Sequence, residues 1–189
     1  MTSHQLILQL SAAVSEMIQK TELDYLVLSD RELASSPTPG SWSILQCFEH
    51  MNRYNRFYNA EIKKKMAAGK SSLDHKVRTT WIGDKSIAAM HPDNRKKQKT
   101  LRHLNPHPNL DRRAIEEFIQ HQHELLSLLS GAKNMDLNTI RVSVEFFRLL
   151  KMNLAEAFQF VVLHQQRHFL QLARTSEQIR KPAEVFLKV

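Results

Sequence analysis

Apolar residues recur at helical spacing in four stretches of this chain, and polar residues separate the stretches. The first stretch predicts an amphipathic helix over residues 3–33 with a break near Thr21, because positions three and four residues apart share one helix face. Its apolar stripe consists of Leu6, Leu10, Ala13 and Met17. This helix would bury the stripe against the rest of the protein.

The second stretch follows the turn sequence SSPTPGS at positions 35–41. Ser43 is a favourable helix N-cap, and Gln46 lies three residues further on, which is the spacing of a capping box. The pattern predicts a helix over residues 44–68, with Gly69 as the C′ residue directly after it.

The third stretch predicts a helix with Asp111 as its N-cap and Gly131 at its end. The predicted inward face consists of Ile115, Phe118, Gln122, Leu125 and Leu129. The fourth stretch opens with a second capping box, Asn153 with Glu156, and predicts a helix to about residue 175. Residues 137–151 are interpreted as a loop with a helical turn, and the tail after Pro182 as peripheral.

These patterns predict an all-α protein, a four-helix bundle that forms a single domain over residues 1–189. The chain has only four glycines and six prolines. Residues 69–109 separate the second and third helices, a length that allows a crossover connection, with a short helix near residues 80–90. Connections this long inside a compact domain are unusual and are often functional.

Composition favours a soluble globular domain, since 42% of the residues are hydrophobic. No run of about 18 apolar residues is present, so we expect no membrane span. The N-terminus lacks the basic start of a signal peptide. A single cysteine, Cys47, excludes an internal disulfide. A cytoplasmic location is the expectation that follows.

The formal net charge of +8 is concentrated in one segment. Between Gly69 and Asn109 lie nine Lys or Arg residues and three Asp residues, so this basic segment carries +6 of the total. One hypothesis is therefore a nucleic-acid-binding bundle that uses residues 69–109. The segment contains one aromatic residue, Trp81, and this scarcity argues against stacking on single-stranded bases.

Three histidines are the candidate chemistry of the chain. His164 and His168 occur in HQQRHFLQ, and residues four positions apart in a helix lie about 40° apart around its axis. Both fall within the apolar stripe of the fourth helix, and His50, in WSILQCFEHM, faces inward from the second. Each could be a core histidine bonded to a neighbour. Together they could hold one metal ion and leave a tetrahedral position free, which is typical of a reactive site.

Three motifs carry a family resemblance: WSILQCFEH at 42–50, TLRHLNP at 100–106 and HQQRHFLQ at 164–171. In order and spacing they resemble the DinB/YfiT-like family. The resemblance implies a four-helix bundle, often a homodimer, that binds a divalent metal ion, commonly nickel or zinc, through three histidines. On this resemblance the metal ligands are His50, His164 and His168.

The resemblance also implies a function, a metal-dependent thiol transferase or a hydrolase acting on a small molecule. The substrate would include a low-molecular-weight thiol, and three neutral imidazoles would leave the charge of the metal uncompensated and favour an anionic ligand. Whether the protein is an enzyme stays open, because no catalytic residue is assigned. The alternatives are the nucleic-acid-binding bundle and a non-catalytic, metal-stabilised bundle.

Residues around the histidines receive secondary predictions. Cys47, one turn before His50, is interpreted as a small core residue that could instead line the pocket. Gln171 is a candidate hydrogen-bond partner of a ligand. Arg167 is predicted to reach solvent, Trp42 to anchor the second helix in the bundle, and Glu61 is a remote candidate base.

The remaining histidines are predicted to be exposed. His121 and His123, two positions apart, should point to different sides of the third helix. His75, His91, His103 and His107 lie in the basic segment. His103 and His107 could in principle form a second metal site.

Overall fold

Helices make up most of the described chain, and one small antiparallel hairpin is added to them. The computed structural model describes residues 1–94, 96, 100–145 and 147–180. Four residues of the basic segment, Arg95, Lys97, Gln98 and Lys99, lie outside the described residues, as do Phe146 and residues 181–189, which include the tail predicted to be peripheral. No helix in the described part is long and apolar enough to cross a membrane.

The predicted first helix is divided into three pieces. Helix α1 (Ser3–Lys20) continues into a π-helical turn (Thr21–Tyr25), and the short helix α2 (Asp30–Ala34) follows. At the junction the Thr21 hydroxyl donates to the Met17 carbonyl at 2.7 Å, a bond that competes with the regular helical pattern. The predicted break near Thr21 is confirmed.

Helix α3 (Ile44–Ala67) begins at the predicted capping box. The Gln46 amide donates to Ser43 Oγ at 3.2 Å, and the Ser43 amide donates to Gln46 Oε1 at 3.0 Å. Gly69 follows the helix without the positive φ of a C′ glycine, which among the described glycines only Gly40 has, at 79°. A Cβ at Gly69 would meet the ends of the Met135 and Ile140 side chains, which would have to shift to make room for it.

The long connection contains helix α4 (Trp81–Met90), capped by Thr80, which confirms the predicted short helix. Helix α5 (Arg113–Gly131) follows, one residue later than predicted, because Arg112 occupies the N-cap position. Asp111 still accepts the Arg113 amide proton at 2.9 Å through its side chain.

The last helix, α6 (Leu154–Arg180), opens with the predicted capping box. The Asn153 amide donates to Glu156 Oε2 at 2.7 Å, and the Glu156 amide donates to Asn153 Oδ1 at 2.9 Å. The helix extends five residues past the predicted end at residue 175. The start of this helix is therefore encoded locally, whereas its length is not.

The prediction of a loop with a helical turn at 137–151 is wrong. Strands β1 (Arg141–Val144) and β2 (Phe147–Asn153) form an antiparallel hairpin with a register irregularity between Ser143 and Val144. The sequence RVSV alternates as a strand does, because Val142 and Val144 are buried while Arg141 is exposed. Strand β1 has only four residues, and the apolar residues of β2 at positions 147, 149, 150 and 152 do not alternate strictly, so the hairpin does not stand out against the helical patterns around it.

The four long helices α1, α3, α5 and α6 share one core. The Asn52 side chain on α3 donates to the Ala114 carbonyl on α5, and Asn59, two turns later, donates to the His121 carbonyl. Both partners advance together, so α3 and α5 run in the same direction. The connection between them therefore returns along the length of the helices, as the crossover prediction expects.

Candidate metal centre

The three predicted histidines meet where α3 and α6 pack in opposite directions. His164 Nε2 lies 3.2 Å from His50 Nε2 and 3.1 Å from His168 Nε2. One ligand nitrogen from each ring lies within 4.8 Å of the other two. Around a tetrahedral zinc ion with Zn–N bonds of about 2.0–2.1 Å, neighbouring nitrogens would be about 3.3 Å apart. The spacing therefore fits a shared metal ion.

Oxygen acceptors orient two of the three rings. His50 Nδ1 lies 3.0 Å from the Leu104 carbonyl, and His168 Nδ1 lies 3.0 Å from Gln171 Oε1. Each Nδ1 donates a proton to its oxygen, so in the neutral ring the Nε2 lone pair is free. This second hydrogen bond is the usual way in which proteins orient a metal-binding histidine. The predicted role of Gln171 as a hydrogen-bond partner is confirmed, with His168 as the donor.

Of the three histidines, His164 has the ring nitrogens whose hydrogen bonding is least satisfied by the protein. Its Nδ1 is buried and has no partner among the described residues. Its Nε2 faces the lone pairs of His50 and His168, and a single proton on that nitrogen could satisfy only one of them. A cation among the three nitrogens would satisfy all three, so the donor set fits a metal ion better than a hydrogen-bonded core.

Burial keeps the three imidazoles neutral, which is the form that binds metals. Burial lowers the pKa of His50 to about 4, although the hydrogen bond to Leu104 opposes the shift. Burial and the neighbouring His50 lower the pKa of His168 to about 3. Burial, with both neighbouring imidazoles, holds the pKa of His164 well below its usual range. Protons therefore compete weakly for these nitrogens at neutral pH.

Aromatic rings enclose the histidine cluster. The centroid of the Trp42 ring lies 4.8 Å from that of His50 and 6.1 Å from that of His168. The centroid of the Tyr54 ring lies 4.1 Å from that of the His164 ring. Trp42 was predicted as a bundle anchor, and its place in the site was missed. The contact of Tyr54 with the histidine cluster could have been expected from the sequence, because Tyr54 lies one turn after His50.

Cys47 and Glu61 lie outside the cluster. Cys47 is fully buried in the core, where burial raises the pKa of its thiol to about 12, so its interpretation as a core residue is confirmed. Glu61 pairs with Lys65 at 3.6 Å and accepts the Ser143 amide at 3.4 Å. The candidate base is thus engaged with the hairpin. Among the described residues, the cluster contains neither cysteine nor carboxylate.

Arg167 contradicts its predicted position in solvent. Its guanidinium donates to the carbonyls of Asn94 and Lys96, the latter at 2.5 Å. Asn94 and Lys96, which follow α4, lie beside α6 and present their backbone oxygens to this side chain, a contact that depends on tertiary packing. The described part of the basic segment is therefore attached to the helix that carries His164 and His168.

The other histidines follow the prediction only in part. His123 is exposed, as are His91 and His107. The prediction is wrong for His121, which is half-buried between Glu117 and Glu124, at 3.2 and 3.7 Å. It is also wrong for His75, which is half-buried near Asp136.

His103 is exposed, but its side chain has a partner in the tertiary structure. It was predicted as a candidate for a second metal site with His107. Its Nε2 instead lies 3.0 Å from Glu145 Oε1, after strand β1. The contact connects the basic segment with the hairpin.

The chain is mostly helical, and three of its histidines converge. It therefore falls in the class of helical proteins with an all-histidine site that could hold a metal. A family model of the DinB superfamily matches residues 19–172, which include all three histidines. The chain belongs to the DinB superfamily, and the family resemblance in its motifs is confirmed. No curated protein and no solved structure matches the chain.

Proposed function

We propose that His50, His164 and His168 hold one divalent cation inside a four-helix bundle formed by α1, α3, α5 and α6. The observation that carries the proposal is the convergence of three Nε2 atoms within a buried, neutral cluster. Imidazole suits zinc, nickel, copper and iron, and the family resemblance favours nickel or zinc. The bundle assignment draws on the shared core of the four helices and on the family.

The donor set favours a reactive site over a structural one. Structural zinc sites are closed by four protein ligands, whereas catalytic sites have three and keep one position open. The described cluster supplies three neutral donors and no carboxylate. A dication there keeps its full charge, so an anionic group is the favoured fourth ligand.

The function that fits this site is a metal-dependent enzyme acting on a small molecule, by thiol transfer or by hydrolysis. When bound, a divalent cation lowers the pKa of a thiol or water that reaches it. Leu104 and Gln171 orient two of the rings, and Trp42 and Tyr54 cover the cluster and limit the access of water. The homodimer and the cytoplasmic location stay predictions.

The test combines metal analysis with activity measurements. The purified protein should contain about one equivalent of zinc or nickel, and its turnover of small electrophiles with thiols, or of hydrolysable esters and amides, should stop with a chelator. His50→Ala should lose both metal and turnover, while His123→Ala, a change at an exposed histidine, should keep both. Turnover that survives the chelator and His50→Ala would contradict the proposal.

Two other outcomes identify the alternatives. A metal that stabilises the fold without turnover or small-molecule binding would indicate the non-catalytic bundle. Binding to nucleic acid that falls steeply with salt would indicate the role predicted for residues 69–109.

A further inference from the structure

Each of the two helices that carry the candidate ligands has an arginine three residues after a histidine. Arg53 follows His50 on α3, and Arg167 follows His164 on α6. Both arginines donate to backbone carbonyls of the connection between α4 and α5. Arg53 Nη1 donates to the His103 carbonyl at 2.8 Å, and Arg167 Nη2 donates to the Lys96 carbonyl at 2.5 Å.

The two arginines differ in what their acceptors touch. His103 directly precedes Leu104, and the Leu104 carbonyl accepts the Nδ1 proton of His50. The acceptors of Arg167 are the carbonyls of His91, Asn94 and Lys96, and no described neighbour of these residues in the chain bonds to a ligand histidine. Arg53 is thus connected to the metal centre through one short turn, whereas no such connection from the acceptors of Arg167 exists among the described residues.

We propose that Arg53 is a positioning residue of the metal centre: it holds the Arg102–Leu104 turn on α3, so that the Leu104 carbonyl orients His50. The inference rests on the proposed metal site. It assigns to Arg53 a role beyond a surface ion pair, because the side chain acts on a ligand through the backbone of another segment.

Several contacts restrain this turn and the arginine that holds it. The Leu104 side chain is buried, with 3% exposure, and anchors the turn in the protein. Arg53 Nε donates to Glu49 Oε1 at 3.1 Å, and Arg56 binds the same carboxylate at 3.0 Å. Arg53 therefore approaches His103 with its guanidinium already oriented by Glu49. Removing Arg53 frees one side of the turn while Leu104 stays buried.

The direction in which metal affinity changes on loss of Arg53 distinguishes a positioning role from the electrostatic effect of its charge. Arg53 carries a positive charge near the cluster, and loss of a nearby cation should by itself strengthen the binding of a dication. Loss of the orienting hydrogen bond should weaken it, because partners of metal ligands typically contribute 10- to 100-fold to metal affinity. A variant without Arg53 that binds metal more weakly therefore supports positioning.

The experiment compares four variants with the wild type: Arg53→Met, Arg53→Lys, Arg56→Met and Arg167→Met. Zinc dissociation constants are measured by competition with a chromophoric chelator. The tautomer of His50 is read in the metal-free protein by ¹⁵N NMR of the imidazole nitrogens. Thermal unfolding of the metal-free variants reports their folding.

We expect Arg53→Met to raise the zinc dissociation constant about 10-fold or more and to convert His50 from the Nδ1–H tautomer to a mixture. Arg53→Lys should lie between it and the wild type, because lysine can reach the His103 carbonyl but cannot also hold Glu49 with a planar fork. If Arg53→Met does not fold, the zinc dissociation constant and the His50 tautomer of Arg53→Lys test the proposal instead. Arg56→Met and Arg167→Met each remove a charge of the same sign and should bind zinc at least as tightly as the wild type.

Three results would overturn the proposal: unchanged or tighter zinc binding by Arg53→Met, weaker binding with an unchanged His50 tautomer, or equally weak binding by Arg56→Met. The last would assign the effect to the Glu49 ion pairs. If the wild type binds no zinc or nickel, the proposed metal site fails, and the His50 tautomer still decides the role of Arg53. A loss of the Nδ1–H tautomer in Arg53→Met would support positioning, and its retention would reject it.

Discussion

Two buried polar clusters lie between the helices of this protein, and they differ in the kind of group they leave unpaired. The histidine cluster consists of His50, His164 and His168. We call the five buried amide side chains of α3, α5 and α6 the amide cluster: Asn52, Asn55, Asn59, Gln122 and Gln165, all almost fully buried. His50 and His168 bond outward through Nδ1, His164 Nδ1 has no partner among the described residues, and the Nε2 atoms of all three lie close together. Gln165 bonds to Asn55, and Asn52 and Asn59 donate to backbone carbonyls, whereas the Gln122 side chain has no partner among the described residues.

The unpaired atoms of the amide cluster are a mixture of donors and acceptors. The Gln165 side chain donates to Asn55 Oδ1 at 2.6 Å, while Asn55 Nδ2 and Gln165 Oε1 have no partner among the described residues. Water satisfies such a mixture, because each molecule both donates and accepts. Three lone pairs that meet at one point are instead satisfied by a cation. Burial alone therefore does not indicate a metal site; the convergence of like acceptors does.

The largest effect should come from removing a ligand. His168→Ala should lower zinc affinity by more than the 10- to 100-fold that loss of an orienting partner typically costs, because a metal–nitrogen bond itself is lost. His168 is the least buried of the three, so the metal-free variant should stay folded. Chelator competition measures the affinity, and His123→Ala is the matched control. Equal affinity of His168→Ala and wild type would remove His168 from the site.

Metal binding should stabilise the native protein. At a free zinc concentration 100 times the dissociation constant, the free energy of unfolding should rise by about 2.7 kcal/mol, if the unfolded chain does not bind the metal. Denaturant titration with and without zinc measures the increment. It should disappear in His168→Ala and persist when the amide cluster is changed. An equal increment in His168→Ala would place the metal elsewhere.

Loss of the second orienting acceptor should have a smaller effect. Gln171→Leu removes the oxygen that accepts the His168 Nδ1 proton and should weaken zinc binding by about 10-fold. Gln159→Leu is the matched control on the same helix, because among the described residues the Gln159 side chain bonds only the carbonyl of Ala155, at 3.1 Å. If both changes have the same effect on zinc affinity, the hydrogen bond to His168 is not what matters.

The smallest effect should come from changes in the amide cluster, which should alter the stability of the protein but not its zinc affinity. Asn55→Leu and Gln165→Met each leave a buried polar partner, whereas the double variant removes both sides of the hydrogen bond. The double variant should therefore be more stable than the sum of the single changes predicts, by about 1 kcal/mol. Urea unfolding of the four proteins gives this coupling energy. Zinc affinity should not change, and a change would indicate that the two clusters are coupled.

The sequence predicted the elements that local patterns encode. The capping boxes of Ser43 with Gln46 and of Asn153 with Glu156 begin α3 and α6, because both partners lie within one helical turn. The break near Thr21 also has a local cause, the bond of its hydroxyl to Met17. The hairpin was missed because β1 has only four residues, the apolar positions of β2 do not alternate strictly, and most of the chain repeats at helical spacing.

Sequence alone therefore determined the candidate ligands and the helix faces on which they lie: His164 and His168 four residues apart, and His50 inward on another helix. Tertiary structure alone decided that α3 and α6 pack so that three Nε2 atoms meet. It also decided that the Leu104 carbonyl reaches His50 and that Arg53 and Arg167 hold the connection. The reason is physical: a helix face is set by residues three and four positions apart, whereas these contacts join residues that are distant in the chain and meet only through packing.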